Sequence, residues 1–217
     1  MPNTVLNEKK VIVIFGGSGQ LGELLFGAYD QEKYTVINIS LHKKLHTRGV
    51  INIRADITKK LGLLYTSFRL RTLVTKVDVL ILSSMFIYHK DLLSLTKKEL
   101  AYEFDVNVFS QIECIKMIMD TFWTTATKDV RSCFYISSAS SLGVTKRQDL
   151  ESYTVEKQSL NFISRYLKQA LSKLQVNSLL YLPGSLTEKQ VSSALCSHFW
   201  KDVVETINDN TKERIFI

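Results

Sequence analysis

The chain has 217 residues, a formal net charge of +7 and an apolar content of 45%. These values exclude a disordered chain and predict one domain whose core needs neither disulfides nor a structural metal. The three cysteines, Cys114, Cys133 and Cys196, form no closely spaced pair, so we expect reduced thiols in a cytoplasmic protein. No apolar run approaches the roughly 20 residues of a spanning helix, and we therefore expect no membrane partner.

Strand and helix patterns alternate along the chain. The predicted strands are Lys10–Phe15, Tyr34–Ile39, Val50–Ile53, Val77–Ser83, Cys133–Ser137, Val176–Leu182 and Arg214–Ile217. The predicted helices are Gln20–Tyr29, Lys59–Thr75, Lys97–Phe122, Ser152–Leu174 and Glu188–Ile207. This order predicts right-handed βαβ units that build a single α/β domain with a doubly wound parallel sheet. Such sheets bind ligands at the carboxyl ends of their strands.

A glycine-rich turn joins the first strand to the first helix. Gly16, Gly19 and Gly22 have the spacing Gly-x-x-Gly-x-x-Gly, which suits a tight turn, close approach of a pyrophosphate, and close packing of helix on sheet. The helix N-terminus then offers free N–H groups to phosphate. This pattern predicts the dinucleotide-binding turn of a Rossmann fold, with contacts from Gly16, Ser18, Gly19, Gln20, Leu21 and Gly22.

Tyr153 and Lys157 lie four residues apart on one face of a predicted helix. Taken alone, such a pair is common on helix surfaces. Here the helix follows a strand that ends in Ser137, Ser138, Ser140 and Ser141. A free tyrosine has a pKa of about 10, and a nearby ammonium group favours the phenolate that can act in proton transfer.

These features together resemble the short-chain dehydrogenase/reductase superfamily over nearly the whole chain. Four further segments carry the resemblance: Asp56-Ile57, Val106-Asn107-Val108, Ile136-Ser137-Ser138-Ala139 and Pro183-Gly184. The resemblance implies that Tyr153 exchanges a proton with the substrate oxygen and that Lys157 binds the nicotinamide ribose. It also implies that Ser138 holds the substrate oxygen and that Asn107 relays protons through a water molecule. The cofactor contacts implied in addition are Asp56, Ile57, Ser83, Pro183, Gly184 and Thr187.

The chain departs from the superfamily at several places. Gln20 stands where the short enzymes usually have Gly, and Ser83-Ser84-Met85-Phe86 replaces the usual Asn-Asn-Ala-Gly turn. Thr187 follows the Pro-Gly turn one place early, and the segment after Gly184 is too short for a substrate-covering lobe. These departures indicate a minimal or divergent member with an open site. Ser140 has the commoner spacing to Tyr153 and remains the alternative to Ser138.

Nine lysines and arginines lie between Ser40 and Lys76, where Asp56 is the only acid. This basic stretch begins at the end of the second strand, where the fold places the 2′ position of the adenosine ribose. An acid there accepts the 2′-hydroxyl of NAD, whereas a cation accepts the 2′-phosphate of NADP. The candidates are Ser40, His42 and Lys43, so we expect NADP(H) over NAD(H). A solvated basic face is the plain alternative, and nucleic-acid binding is not expected because no nucleic-acid module is recognisable.

The sequence therefore predicts an NADP(H)-dependent oxidoreductase that reduces a carbonyl or oxidises an alcohol of a small molecule. A non-catalytic NADP(H)-binding sensor or scaffold of the same fold is the first alternative. An epimerase or dehydratase is the second, although only 33 residues follow Gly184 to build a substrate domain. No metal site is expected. The two long helices, Lys97–Phe122 and Ser152–Leu174, pair across a two-fold axis in the superfamily, which predicts a homodimer or homotetramer.

Overall fold

A seven-stranded parallel sheet in the order β3-β2-β1-β4-β5-β6-β7 forms the centre of the computed structural model, which describes residues 9–26, 29–42, 45–143, 147–182 and 215–216. The strands are β1 (Lys10–Phe15), β2 (Tyr34–Ser40), β3 (Ile51–Arg54), β4 (Val79–Leu82), β5 (Arg131–Ile136), β6 (Val176–Tyr181) and β7 (Ile215–Phe216). Every pairing is parallel, as in β1 with β2 and with β4. The predicted doubly wound α/β fold is confirmed.

Five α-helices are described: α1 (Gln20–Phe26), α2 (Lys60–Leu73), α3 (Lys97–Phe104), α4 (Ser110–Phe122) and α5 (Glu151–Ser172). The sequence predicts one continuous helix over Lys97–Phe122, but a π-helical turn at Asp105–Phe109 separates α3 from α4. A capping box formed by Thr96 and Glu99 starts α3. The helix predicted over Glu188–Ile207 lies outside the described residues.

Alternate residues of β1 face different helical layers. Val11, Val13 and Phe15 belong to a core that includes residues of α2, α4 and α5. Ile12 and Ile14 belong to a second core with Leu21, Leu25 and Phe26 of α1. Because helices cover both faces, the interior strands are apolar at nearly every position rather than at alternate ones.

The order of the strands reverses direction between β1 and β4. β1 continues through α1 to β2 on one side, and its other neighbour is β4. Such a switch point leaves a crevice at the carboxyl ends of the strands, since the connections leave to opposite sides. The crevice here lies between the glycine turn after β1 and the turn after β4.

Two features bear on the chemical setting of the chain. Cys114 and Cys133 are buried free thiols. None of the helices in the described ranges combines the length and the apolar character needed to cross a bilayer.

Candidate functional site

A cavity of about 420 Å³ opens at the carboxyl ends of the strands. Eleven of the residues singled out from the sequence line it: Gly16, Ser18, Gly19, Leu21, Ser40, His42, Asp56, Ile57, Ser83, Tyr153 and Lys157. Gly22, Ser138 and Asn107 are not among the lining residues. Gln20 is not a lining residue either, and its side chain is not described. The predicted contacts Lys43, Pro183, Gly184 and Thr187 lie outside the described residues. The volume and shape suit an organic ligand of cofactor size.

The glycine turn has the geometry that the spacing predicts. Gly16 has a φ of +84°, and a Cβ on it would lie 2.5 Å from Cα of Ser84 in the turn after β4. A Cβ on Gly22 would lie 1.9 Å from the carbonyl oxygen of Gly17. A Cβ on Gly19 would meet only the carbonyl oxygen of Gly16, at 3.8 Å. The first and third glycines are therefore packed too closely for a side chain, and Gly19 leaves room beside the cavity.

A polar network ties the glycine turn to the end of β2. The hydroxyl oxygens of Ser18 and Ser40 are 2.8 Å apart, and Nδ2 of Asn38 donates to Oγ of Ser18 at 2.9 Å. The same Nδ2 donates to Oδ1 of Asn52 on β3 at 2.8 Å. The sequence analysis did not identify Asn38 and Asn52 as residues that shape the site. The signal that could have found them is an asparagine inside an otherwise apolar strand. Together they hold the Ser18 and Ser40 hydroxyl groups at this end of the cavity.

Asp56 fixes the loop that leads from β3 into α2. Its Oδ1 accepts hydrogen bonds from the backbone N–H of Thr58 at 3.0 Å and from the Thr58 hydroxyl at 2.7 Å. A Cβ on Gly62 would lie 1.9 Å from the Asp56 carbonyl oxygen, so the helix approaches the loop closely. Asp56, Ile57 and Thr58 all line the cavity as a result.

Arg54 is a cation that the sequence reasoning counted only as part of the basic stretch. Its Nε donates to the carbonyl oxygen of Leu41 at 3.0 Å, and Leu41 lines the cavity next to Ser40 and His42. The side chain is exposed. A guanidinium group therefore lies beside the end of β2, where we expect the adenosine ribose.

Asn107 lies in the π-helical turn and points toward the turn after β4. Its Oδ1 accepts from the Phe86 N–H at 2.8 Å, and its Nδ2 donates to the Phe86 carbonyl at 2.7 Å. Gln111, one helical turn further on, donates to the Ser84 carbonyl at 2.9 Å. These bonds fix the backbone of the turn at Ser84 and Phe86. The side chain of Asn107 is buried away from the cavity, and the water-mediated relay stays a prediction.

Tyr153 is 9% exposed and lines the cavity together with Lys157. Burial raises the pKa of the Tyr153 hydroxyl; the Ser138 side chain opposes this effect, and the nearby Glu156 adds to it. Lys157 Nζ lies 5.5 Å from the Tyr153 ring centroid and donates to the Ile136 carbonyl at 2.9 Å, and the phenolate expected beside this ammonium group and an oxidised nicotinamide stays a prediction. The hydroxyl is a neutral phenol near pH 7.

Lys157 is 2% exposed, one of the largest buried side chains. Burial lowers its pKa to about 8, and the negative charge of Glu156 acts in the opposite direction. Through the Ile136 carbonyl, the ammonium group is tied to the strand end that carries Ser137 and Ser138. Lys157 therefore lines the cavity beside Tyr153.

Ser138 and Ser140 have different places. Ser138 caps the short 3₁₀ helix Ala139–Leu142, and its Oγ accepts from the Ser140 N–H at 3.2 Å and from the Ser140 hydroxyl at 2.9 Å. Of the two serines, Ser138 is the one whose side chain influences the pKa of Tyr153. Ser140 donates to the Ser138 hydroxyl oxygen and stays the alternative to it.

The sequence analysis did not identify two buried carboxyl groups near Lys157, those of Glu156 and Glu103. Glu156 is fully buried and accepts a 2.5 Å hydrogen bond from Nδ2 of Asn107. Burial, opposed by the Asn107 hydrogen bond and assisted by the charge of Glu103, raises the pKa of Glu156 to about 7. Glu103 is 1% exposed and accepts from the Tyr88 N–H at 2.5 Å. The only sequence signal was the position of Glu156 between Tyr153 and Lys157 on a helix face turned inward.

No family model and no curated protein matches the sequence. Many solved structures match the fold. A short-chain dehydrogenase from Leptospira borgpetersenii with bound NAD⁺ has a TM-score of 0.80 at 16% identity, covering 97% of this chain and 91% of that one. The Thermoplasma acidophilum aldohexose dehydrogenase in ligand-free form has a TM-score of 0.77 at 15% identity, and the match covers 97% of this chain and 92% of that one. The Pseudomonas aeruginosa RhlG/NADP active-site complex has a TM-score of 0.73 at 18% identity, and the match covers 89% of this chain and 77% of that one. The chain has the fold of short-chain dehydrogenases/reductases.

Proposed function

We propose that the protein is an NADP(H)-dependent oxidoreductase of the short-chain dehydrogenase/reductase type that reduces a carbonyl or oxidises an alcohol. One observation carries this proposal. Tyr153 and the buried Lys157, whose Nζ lies 5.5 Å from the Tyr153 ring centroid, line the same cavity that begins at the glycine turn. A proton-transferring group and a phosphate-binding turn therefore share one ligand space.

The residues present fit a nicotinamide dinucleotide. The open face of Gly19 and the N-terminus of α1 suit a pyrophosphate, and Ser40 and Asp56 lie at the ends of the adjacent strands. Of the similar structures, the Leptospira protein contains NAD⁺ and the Pseudomonas protein NADP. When bound, such a cofactor supplies or accepts the hydride.

Tyr153 holds the proton that the reaction needs. As a neutral phenol it can donate to the oxygen of a carbonyl substrate, and the reverse transfer serves alcohol oxidation. Ser138 can hold that oxygen through its own hydroxyl, since its side chain influences the pKa of the Tyr153 phenol. Lys157, pinned by the Ile136 carbonyl, supplies the positive charge that stabilises a tyrosinate after the proton has left.

The preference for NADP(H) is supported by the end of β2. The sequence from Asn38 to Lys44 contains no acid that could accept a ribose 2′-hydroxyl. Ser40 and His42 line the cavity there, and the Arg54 guanidinium bonds the adjacent Leu41 carbonyl. Hydroxyl, imidazole and guanidinium groups together suit a 2′-phosphate.

The test is a panel of aldehydes and ketones with NADPH, read by the loss of its absorbance, for the wild type and Tyr153→Phe. We expect turnover of at least one substrate by the wild type and a drop of about 10²–10⁴ in Tyr153→Phe, because only the proton donor is removed. If wild type and variant oxidise NADPH equally slowly on every substrate while both bind it, the non-catalytic sensor or scaffold is the correct function.

A further inference from the structure

We propose that the outward face of α2 docks on an anionic lipid membrane surface. Four large apolar side chains form a stripe on this helix: Leu61 is 78% exposed, Leu64 57%, Tyr65 45% and Phe68 64%. Their spacing of three, four and seven residues places them on one face of the helix. We call these four residues the α2 stripe.

The α2 stripe is not the face that packs on the sheet. Thr66 and Leu70 are the buried residues of α2, and Ser67 approaches Thr121 of α4 with hydroxyl oxygens 3.2 Å apart. At 100° per residue, Leu70 lies opposite Leu61 on the helix. Surface helices normally carry polar residues on the side away from the core, so an apolar outer face indicates an interaction surface.

Cations border the α2 stripe on both sides. At the same 100° per residue, Lys60 and Arg71 fall along one edge of the stripe and Arg69 along the other. No aspartate or glutamate occurs from Ile57 to Val77. An apolar stripe bordered by basic residues is the pattern of helices that lie in a membrane interface, where the long basic side chains reach the anionic headgroups.

Charge and shape favour a lipid surface over the other occupants. A second copy joined through the same stripe would bring Lys60, Arg69 and Arg71 of both copies close together. Nucleic acid would engage the cations but leave Leu61 and Phe68 without a role. A bound peptide needs a groove or a free strand edge, whereas the stripe is convex. Surface docking needs no spanning helix, so it can occur despite the expectation of no membrane partner.

The full chain can be sedimented with vesicles of phosphatidylcholine, alone or mixed with about one third phosphatidylserine. We expect binding to the mixed vesicles only, and we expect it to weaken with added salt because headgroup attraction is screened. Leu61→Gln with Phe68→Gln should lower the partition coefficient at least ~10-fold, since two apolar anchors are lost. Lys60→Gln, Arg69→Gln and Arg71→Gln together should lower it about 100-fold, at roughly five-fold per cation.

Matched controls lie elsewhere on the surface. Leu93→Gln replaces a leucine that is 96% exposed outside α2, and Lys97→Gln with Lys98→Gln and Lys128→Gln removes three exposed cations. Both controls should bind the mixed vesicles as the wild type does. Circular dichroism during heating checks that each variant is folded, which the exposure of the substituted residues leads us to expect.

Three results would overturn the inference. The first is a wild type that stays in the supernatant with mixed vesicles at low ionic strength. The second is a Leu61→Gln, Phe68→Gln variant that binds as tightly as the wild type, which would mean adsorption through net positive charge alone. The third is a wild type that ignores vesicles but changes its mass in light scattering when the α2 stripe is substituted, which would show that a second copy covers this face.

Discussion

The side-chain amide of Asn107 joins the turn after β4 to the buried carboxyl group of Glu156. Nδ2 of Asn107 is 2.7 Å from the Phe86 carbonyl oxygen and 2.5 Å from Oε2 of Glu156. Glu156 directly precedes Lys157, so one amide connects a wall of the cavity with the helix that carries Tyr153 and Lys157. Asn107 therefore holds the site in place without lining the cavity.

Asn107→Asp should destabilise the protein, because a carboxylate would replace the donor and face both the Phe86 carbonyl and Glu156. We expect a loss of about 2–4 kcal/mol in the free energy of unfolding, measured with urea at pH 8. Glu156→Gln restores a donor opposite the introduced carboxylate, so the double variant should recover part of the loss. A double-mutant cycle isolates this coupling, which should exceed about 1 kcal/mol. Strictly additive losses would contradict it.

Lys157→Met should impair cofactor binding as well as turnover. Under the proposed function, Lys157 contacts the ribose and also stabilises the tyrosinate, whereas Tyr153 acts only in proton transfer. We expect the NADPH dissociation constant, measured by fluorescence, to rise at least ~10-fold in Lys157→Met and to stay within about two-fold in Tyr153→Phe. Equal NADPH affinities in the two variants would contradict the separate roles.

The sheet and the glycine turn were predictable from the sequence because they depend on local patterns. Buried strands such as VIVIF at β1 are continuous apolar runs, and Gly22 at the start of α1 reflects contact with its own turn. The predicted and observed strand starts agree at Lys10, Tyr34 and Val176. The strands and the glycine turn depend on residues that are close to one another in the sequence, so the sequence alone reveals them.

The interior of the site was less predictable because its contacts are long-range. Asn107 meets Phe86 and Glu156 across 21 and 49 residues, and the π-helical turn that aims it leaves no mark in the apolar periodicity. Helix spacing shows that Lys157 is near Tyr153 but not how deeply both groups are buried. Burial is a property of the packed molecule, and it dominates the pKa of Tyr153.

Arg54→Gln should weaken NADPH binding without changing NADH affinity, if the guanidinium beside Leu41 faces a 2′-phosphate. We expect the NADPH dissociation constant to rise about 10-fold, as for the loss of a charge-assisted hydrogen bond. Arg71→Gln is the matched control, since it removes one exposed arginine from the far end of α2. Tighter binding of NADH than NADPH by the wild type would contradict the cofactor preference itself.

Phe162→Glu should prevent self-association. The outer surfaces of the long helices expose Phe109 at 55%, Phe162 at 61% and Tyr166 at 80%, and these helices are the ones expected to pair across a two-fold axis. A glutamate at the interface would be desolvated opposite its own copy. Light scattering at micromolar concentration should give a dimer or tetramer for the wild type and for Leu93→Glu, but a monomer for Phe162→Glu. A monomeric wild type would contradict the expected assembly.

Glu156 and Lys157 should give the protein a minimum of stability between about pH 7 and pH 8. The pKa of Glu156 is raised from 4.5 to about 7, so between these values the folded protein holds a proton that the unfolded chain has released. Its stability therefore falls as the pH rises through that window. The pKa of Lys157 is lowered from 10.5 to about 8, so above pH 8 the unfolded chain holds the extra proton and stability rises again.

Each side of this minimum can be removed separately. Glu156→Gln should flatten the fall below pH 7, and Lys157→Met should flatten the rise above pH 8, each by on the order of 2–3 kcal/mol in the free energy of unfolding. Glu113→Gln is the control, because that carboxyl group is exposed on α4 in an ion pair with Lys116. Urea unfolding from pH 5 to pH 10 measures all four proteins. A wild-type profile that matches that of Glu156→Gln would show that Glu156 releases its proton near its ordinary pKa, and the buried carboxyl group would then have no part in setting the charge around Lys157.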